Sequence, residues 1–474
     1  MLDKIKNHYI SIYNLEHAHS ICYWDQTTMM PNNSYLARAN AMAELELIIH
    51  EKRVSPEIFN LIEKALFGHD ILDEKWIGLQ SARQEIILKG IVPSNLMKAI
   101  KLASLCCEAS WIKNKKNNNW NIYSKDLSQL LNLVREKAER VSQYLSISPY
   151  EALLNEHEPG ISIKILNELF NEIQSWLPDL ISRYSKNNEN KNFSKIVSIE
   201  SQILVNRTLL NDLGFDFTRG RLDVSHHPFC AGNRDDIRIT NVFLKNDILA
   251  GIYATLHECG HALYESHLPK KFTGMPCDRS CSIGIHESQS LLYEMFLGKS
   301  DTFIEYLVSI LGSHNVNVTQ DVIREHILKL KPFESRINTD ELHYLQHIYL
   351  RYLVEVEVFD HNLDIKDLPD FWNELSTRLL GFNPQWEHSK GCMEDIHWSA
   401  GFFGYFPCYM LGYIYAAQLF SILKIYNFKE INIWLNKNIW SVGQRLTPTK
   451  LIESTTGSPV STNYAKQAFI ERYK

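Results

Sequence analysis

The sequence predicts a mostly α-helical protein, and three observations carry that expectation. Apolar residues recur at helical spacing through most long segments, period-two alternation is scarce, and breakers are few, with 15 prolines and 20 glycines in 474 residues. Helical periodicity marks residues Tyr35 to Lys52, Ser124 to Leu145, Ile161 to Ser185, Ser194 to Leu213 and Asp340 to Phe359. The clearest strand-like run is Asp236-Ile237-Arg238-Ile239-Thr240, preceded by the turn-rich Cys230-Ala231-Gly232-Asn233. It predicts a short antiparallel sheet around residues 222 to 245, with Arg238 on an edge strand.

Two polar runs, Lys113 to Asn119 and Ser185 to Asn192, read as exposed turns between helices. Neither is long enough to be a linker, and no solenoid-period repeat is present, so residues 1–474 are expected to form a single unit. Within it, a deep cleft is expected between two helical lobes, with the small sheet at its wall.

Composition excludes several classes. Apolar residues make up 45% and charged residues 22%, which is ordinary globular usage. A net charge of −6 argues against a nucleic-acid surface, and asparagine dilutes the lysines of the first polar run. The nine cysteines are scattered and form no CxxC pair, which reads as reduced thiols in a cytoplasm. Met1 to His8 leads into mixed polar sequence with no apolar signal core, so export is not expected. The uncharged span Trp398 to Leu423 is long enough to cross a bilayer. It is interrupted by Gly401, Gly404, Pro407, Gly412 and Gln418, and reads instead as a buried segment followed by a helix.

The chemistry concentrates at Leu256-His257-Glu258-Cys259-Gly260-His261, which contains HExxH. At about 100° per residue, positions four apart return to within about 40° of each other, so both imidazoles leave one helix face. They can take two sites of a tetrahedral zinc, with Glu258 beside them as acceptor of a proton from zinc-bound water. Chance would place an HExxH in roughly one chain in twenty of this size and histidine content, so the motif needs support. Cys259 points away from the histidines and reads as a packed small residue. A third ligand is required, and Gly284 to Glu294 reads as a second helix that offers Glu287, with His286 and Glu294 as rivals. Spacing leaves the three open.

At these residues the chain resembles the carboxypeptidase Taq family of metallocarboxypeptidases, nearly end to end. The zinc helix, with the Ala262-Leu263-Tyr264-Glu265 that follows, is similar to that family's, and His286-Glu287-Ser288-Gln289-Ser290 resembles its second metal motif. His227-Pro228-Phe229 resembles the HPF motif, and Asp236 to Thr240 resembles DxRxT. Ser335-Arg336-Ile337-Asn338-Thr339-Asp340 is similar to IRxxAD, and Gly391 to Trp398 to GxxQDxHW, leading into Gly404-Tyr405-Phe406-Pro407. Trp24-Asp25-Gln26 and Met30-Pro31 resemble the family's opening. Ser335, Thr339 and Glu394 depart from the usual Ile, Ala and Gln, and Glu394 adds a possible negative charge near the inferred site.

The resemblance implies a zincin-like helical fold, a homodimer, and removal of single residues from the free C-terminus of peptides with broad preference. It makes Glu287 the third ligand of one zinc, for which cobalt or another divalent ion could substitute. His397 and Tyr405 are candidates for oxyanion stabilisation, and Tyr409 for substrate contact. Recognition of a terminal carboxylate falls to Arg336 or Arg238, because a guanidinium binds a carboxylate in bidentate fashion. The bland alternative for Arg336 is a structural ion pair with Asp340. The presumed edge strand that carries Arg238 could also pair with the substrate backbone. His227 could orient a ligand or substrate, or cap the strand. The partners expected are peptides with a free carboxylate, with neither nucleic acid nor membrane. Two rivals stand beside this reading: an oligopeptidase or dipeptidyl carboxypeptidase on the same scaffold, and a non-catalytic metal-binding scaffold.

Overall fold

The computed structural model describes residues 1–69, 76–185, 196–330, 335–423 and 427–474. The five expected helices are present as Tyr35–Arg53, Trp120–Leu145, Ile163–Tyr184, Ile199–Asp212 and Glu341–Asp360. Their starts are set by caps. The Asn119, Ser162 and Ser198 side chains accept from the backbone N–H of Ile122, Ile165 and Ser201 respectively. The polar run Lys113 to Asn119 is helical through Lys116, then turns, and its last residue caps the next helix. Most of the run Ser185 to Asn192, and Ser194 with it, lies outside the described residues.

The chain forms two compact units, each assembled from separate segments: 1–89, 190–328 and 412–465 in the first, and 90–189, 329–411 and 466–474 in the second.

In the first unit the N-terminal helix Leu2–Thr28 buries Ile5, Tyr9 and Ile12 against Ile58, Ile62 and Ala82. The sheet has three strands, β1 (Gly220–Val224), β2 (Phe229–Asn233) and β3 (Asp236–Asn241), in the order β1-β3-β2. It is mixed rather than antiparallel: β2 and β3 form a hairpin, whereas β1 pairs with β3 in parallel. Alternation identifies a strand but not its neighbours, and the loop 225–228 carries the chain past β3 before the hairpin turns it back. Arg238 therefore lies on the central strand, not on an edge.

Helix α1 (Ile248–Ser266) starts at Asp247, whose carboxylate accepts from Ala250 N–H, and buries Ile252, Leu256, Cys259 and Leu263. Helix α2 (Ile283–Leu291) starts at Ser282, whose Oγ accepts from Ile285 N–H at 3.0 Å. These two helices meet at Gly260. A Cβ there would fall 2.3 Å from the Gln289 carbonyl oxygen and 2.6 Å from Ser290 Cα, so only a residue without a side chain lets the backbones approach so closely. Gln289 is locked in turn by the buried Trp440, whose Nε1–H donates to Gln289 Oε1 at 2.8 Å. In the helix Phe406–Ile422, a Cβ on Gly412 would fall 2.8 Å from the Glu287 side chain, so a second glycine makes room for that carboxylate. The chain leaves α2 in a π-helical turn, Leu292–Leu297.

The span Trp398 to Leu423 is largely buried and contains that helix. Among the described residues no helix is long and apolar enough to cross a membrane.

In the second unit helix α3 (Glu341–Asp360) is capped by Asp340, which accepts from Leu342 and His343 N–H. Its Tyr352 ring stacks on Phe170 at 4.8 Å, and its last residue, Asp360, accepts from Ser148 Oγ–H and Tyr150 N–H. Near the chain terminus, Arg472 and Tyr473 both donate to Glu341 at its start.

Gly260→Ala is expected to destabilise the protein by about 1–3 kcal/mol, because two backbones must separate to admit one methyl group. A chemical-denaturation midpoint unchanged from wild type would contradict this packing.

Candidate active site

One turn of α1 presents His257 and His261, with ring centroids 4.9 Å apart, and the middle of α2 presents Glu287. His257 Nε2 lies 3.9 Å from Glu287 Oε1, and His261 Nε2 lies 3.6 Å from Glu287 Oε2. Two bonds of about 2.1 Å at a tetrahedral angle hold their donors about 3.4 Å apart, so this trio is spaced to close on a divalent ion with little movement. The three ligand atoms all lie within 4.8 Å of one another.

The rival residues point elsewhere. Glu294, on the π-helical turn, meets His257 Nδ1 at 2.8 Å. A carboxylate there fixes the tautomer and turns Nε2 toward Glu287, the usual outer partner of a metal-binding imidazole. His286 Nε2 meets Glu265 at 2.9 Å, and its ring stacks on His261 at 4.4 Å. Cys259 is fully buried, as expected of a packed residue.

The electrostatics favour a cation. Burial opposes a proton on His257, but Glu287 and Glu294 outweigh it and push His257 up to about 10. His261 goes the other way, held well below its ordinary value by burial and by His286 and His257. The cluster thus traps positive charge on one imidazole between carboxylates while its neighbour stays neutral, and a divalent ion would take the place of that proton. Burial pushes Glu258 up to about 7, with His257 pulling against it and Glu287 and Glu294 adding to it.

The other anticipated residues fall into two groups. In the first unit, Arg238 is bound by Asp236 through both Nε and Nη2, at 3.0 and 2.9 Å, and covers the Trp24 ring at 4.3 Å. With β3 flanked on both sides, it has no open edge to offer a peptide. His227 lies in the loop between β1 and β2, partly open to solvent, and its carbonyl accepts from Ser225 and Thr240 hydroxyls. Partial burial and the charge of His257 both lower it.

In the second unit Arg336, His397, Tyr405 and Tyr409 come together. Arg336 sits over Tyr409 and Tyr344 at 5.4 and 5.7 Å, and His397 Nε2 lies 3.2 Å from Tyr409 Oη. The His397 and Tyr405 ring centroids are 5.7 Å apart. Arg336 is not paired with Asp340, which instead caps α3 and holds His343 at 2.7 Å. Its Nε and Nη2 both meet Asp395 Oδ1 at 2.9 Å. The fully buried Arg351 takes Asp395 Oδ2 and Glu394 Oε2, each at 2.6 Å, while Glu394 Oε1 accepts from Arg336 N–H. The extra charge of Glu394 is therefore matched by an arginine. Burial opposes the charge on Asp395, but Arg351 and Arg336 hold it well below the usual carboxylate range. Burial lowers His397 to about 4, against Asp395 and with the two arginines.

Residue-by-residue reading missed the roles of Glu294 and Arg351. Glu294 lies two helical turns beyond Glu287, and that spacing was its available signal. Arg351 carries none, because it looks like an ordinary charged position on a helix until burial is known.

A fold and a site of this kind define a metal-dependent peptide hydrolase. Residues 4–473 match the family model described as carboxypeptidase Taq (M32) metallopeptidase. The chain is 31% identical over 484 aligned positions to Carboxypeptidase 1 of Bacillus subtilis, covering 98% of this chain and 96% of that protein. It is equally similar, at 31%, to Thermostable carboxypeptidase 1 of Pyrococcus furiosus, covering 98% and 97%. The solved metallocarboxypeptidase 1 of Trypanosoma cruzi superposes with a TM-score of 0.94 at 30% identity, over 100% of this chain and 99% of that one. The chain belongs to the M32 carboxypeptidase Taq family and is a metallocarboxypeptidase.

Glu294→Gln is expected to weaken metal affinity about 10- to 100-fold while leaving the three closer side chains in place. Titration with a metal-buffered indicator measures it, and unaltered affinity would remove Glu294 from the site.

Proposed function

We propose that this metallocarboxypeptidase removes single residues from the free C-terminus of peptides with broad preference, using zinc held by His257, His261 and Glu287. The observation that carries this reading is the meeting of two imidazoles and one carboxylate at ion-binding distances, with Glu258 on the same helix. Imidazole and carboxylate donors suit zinc, and cobalt could substitute. When bound, the ion supplies Lewis acidity, polarising the scissile carbonyl and making water a stronger acid.

The chain's own residues do the remaining work. Glu258 accepts a proton from the attacking water and returns it to the leaving amine. Its burial keeps the carboxylate poorly solvated and therefore more basic than an exposed one. Arg336 anchors the substrate's terminal carboxylate. Asp395 takes Nε and Nη2 while Tyr344 Oη accepts from Nη1 at 3.2 Å, which fixes the guanidinium plane, and the remaining Nη1 and Nη2 hydrogens serve a second carboxylate. Arg238, held by Asp236 through the same two nitrogens, is the second choice because it lies on the central strand and covers the Trp24 ring. His397 and Tyr405 donate hydrogen bonds to the developing oxyanion; His397, kept neutral by burial, carries its one proton on Nε2 and shares it between Tyr409 Oη and the oxyanion, while Tyr409 lines the substrate. His227 contacts substrate from the loop beside β1. The reaction is placed in a cytoplasm, by a homodimer.

Glu258→Gln is expected to retain metal at wild-type stoichiometry and lose at least about a hundredfold in kcat. A variant with full turnover would end its assignment as base. Arg336→Ala is expected to raise KM at least about tenfold for peptides with a free C-terminus, since a charge-assisted contact is lost, and far less for amidated peptides. An equal change for both would show that Arg336 is not the anchor. Mass spectra of digests distinguish stepwise loss of single residues from the paired losses or internal cuts of an oligopeptidase.

A further inference from the structure

The second unit contains a buried carboxylate for which the reaction described above has no use. Glu355, on the inner face of α3, is almost completely buried. Its Oε1 accepts from Trp398 Nε1–H at 2.8 Å, and its Oε2 accepts from Tyr150 Oη–H at 2.8 Å and Gly404 N–H at 3.0 Å. A carboxylate kept in such surroundings costs stability unless its oxygens are well supplied with donors, and here three converge on it.

Two of those donors, Trp398 and Gly404, are the first and last residues of a single turn. The residue before that turn is His397 and the residue after it is Tyr405. Within the turn, Gly401 and Phe402 N–H bond back to Trp398 and His397 carbonyls, and Ser399 Oγ meets Tyr123 Oη at 2.8 Å. Gly404 has a φ of +72°, and a Cβ there would fall 2.6 Å from Leu154 N, so its backbone is pressed against the helix that carries Tyr150. His157 adds a further tie to the Phe403 carbonyl and packs edge-on against the Tyr405 ring.

We propose that Glu355 is a positioning residue that clamps both ends of the 398–404 turn and thereby sets Tyr405 against His397. The inference rests on the oxyanion role given to those two side chains. Glu355 touches neither of them and acts through the backbone that carries them. Arg336 is held by Asp395 and not by this clamp, so the clamp governs the chemical step and leaves recognition of the substrate carboxylate alone. In Glu355→Gln the size is kept, but one oxygen becomes an amide that presents hydrogens to donors, so at least one of the three bonds breaks and the turn is freed at that point.

The test is a double-mutant cycle in kcat with Glu355→Gln and Tyr405→Phe, using full-length, metal-loaded protein normalised to bound metal. Glu355→Gln is expected to lower kcat about 10- to 100-fold with KM for a free-carboxylate peptide nearly unchanged, as a misplaced donor would. In a Tyr405→Phe background the same change is expected to cost clearly less than it does in the wild type, because one of the two donors it positions is already gone. Multiplicative losses, an unchanged kcat in Glu355→Gln, or a loss expressed in KM would each overturn the clamp while leaving Tyr405 as an oxyanion donor. An unchanged kcat in Tyr405→Phe alone would instead overturn the role of Tyr405, and the clamp with it. If Glu355→Gln does not fold, Tyr150→Phe removes a single donor and runs through the same cycle, with a smaller loss expected and the same two criteria.

Discussion

Everything at the metal trio depends on how closely two helix backbones approach. Helices α1 and α2 touch at Gly260 against Gln289 and Ser290, and that contact brings Glu287, in the middle of α2, beside the imidazoles one turn apart on α1. The glycine lies inside the HExxH segment itself, so one short stretch supplies both the imidazole pair and the gap through which the third donor arrives. Gly412 clears the other side of Glu287. The site is thus a packing result before it is an electrostatic one.

Each unit resolves its buried charge differently. In the first, Glu258, Glu287 and Glu294 crowd around two imidazoles, an arrangement that a cation completes. In the second, Arg336 and Arg351 pair with Asp395 and Glu394, and Lys115 adds a third cation beside those two acids. Breaking such a buried cluster costs more than its net attraction suggests, since each partner lost strands another charge away from water. That rigidity suits residues asked to hold a guanidinium in one plane.

Much of this was legible in the sequence, and the parts that were not share a physical reason. Helices could be read because their period is local, and the shifts at their starts trace to caps such as Asn119 and Ser198. The pairing of His257 with His261 could be read because helix geometry fixes residues four apart. Glu287 could not be separated from His286 and Glu294 by spacing, since the choice depends on the helix contact at Gly260 and on the π-helical turn that carries Glu294 to His257. The sheet was visible as a strand but not as a mixed arrangement with Arg238 at its centre, because pairing is non-local. The two units left no linker to find, as the chain passes between them several times. Glu355 and Arg351 look like solvent-facing helix charges in a one-dimensional reading, and only burial distinguishes them.

The most direct measurement of the central claim is anomalous diffraction from crystals of the zinc-loaded protein. The account requires one strong peak within bonding distance, about 2.0–2.2 Å, of His257 Nε2, His261 Nε2 and a Glu287 oxygen. A peak held by other side chains, or none near this trio at full metal loading, would contradict it.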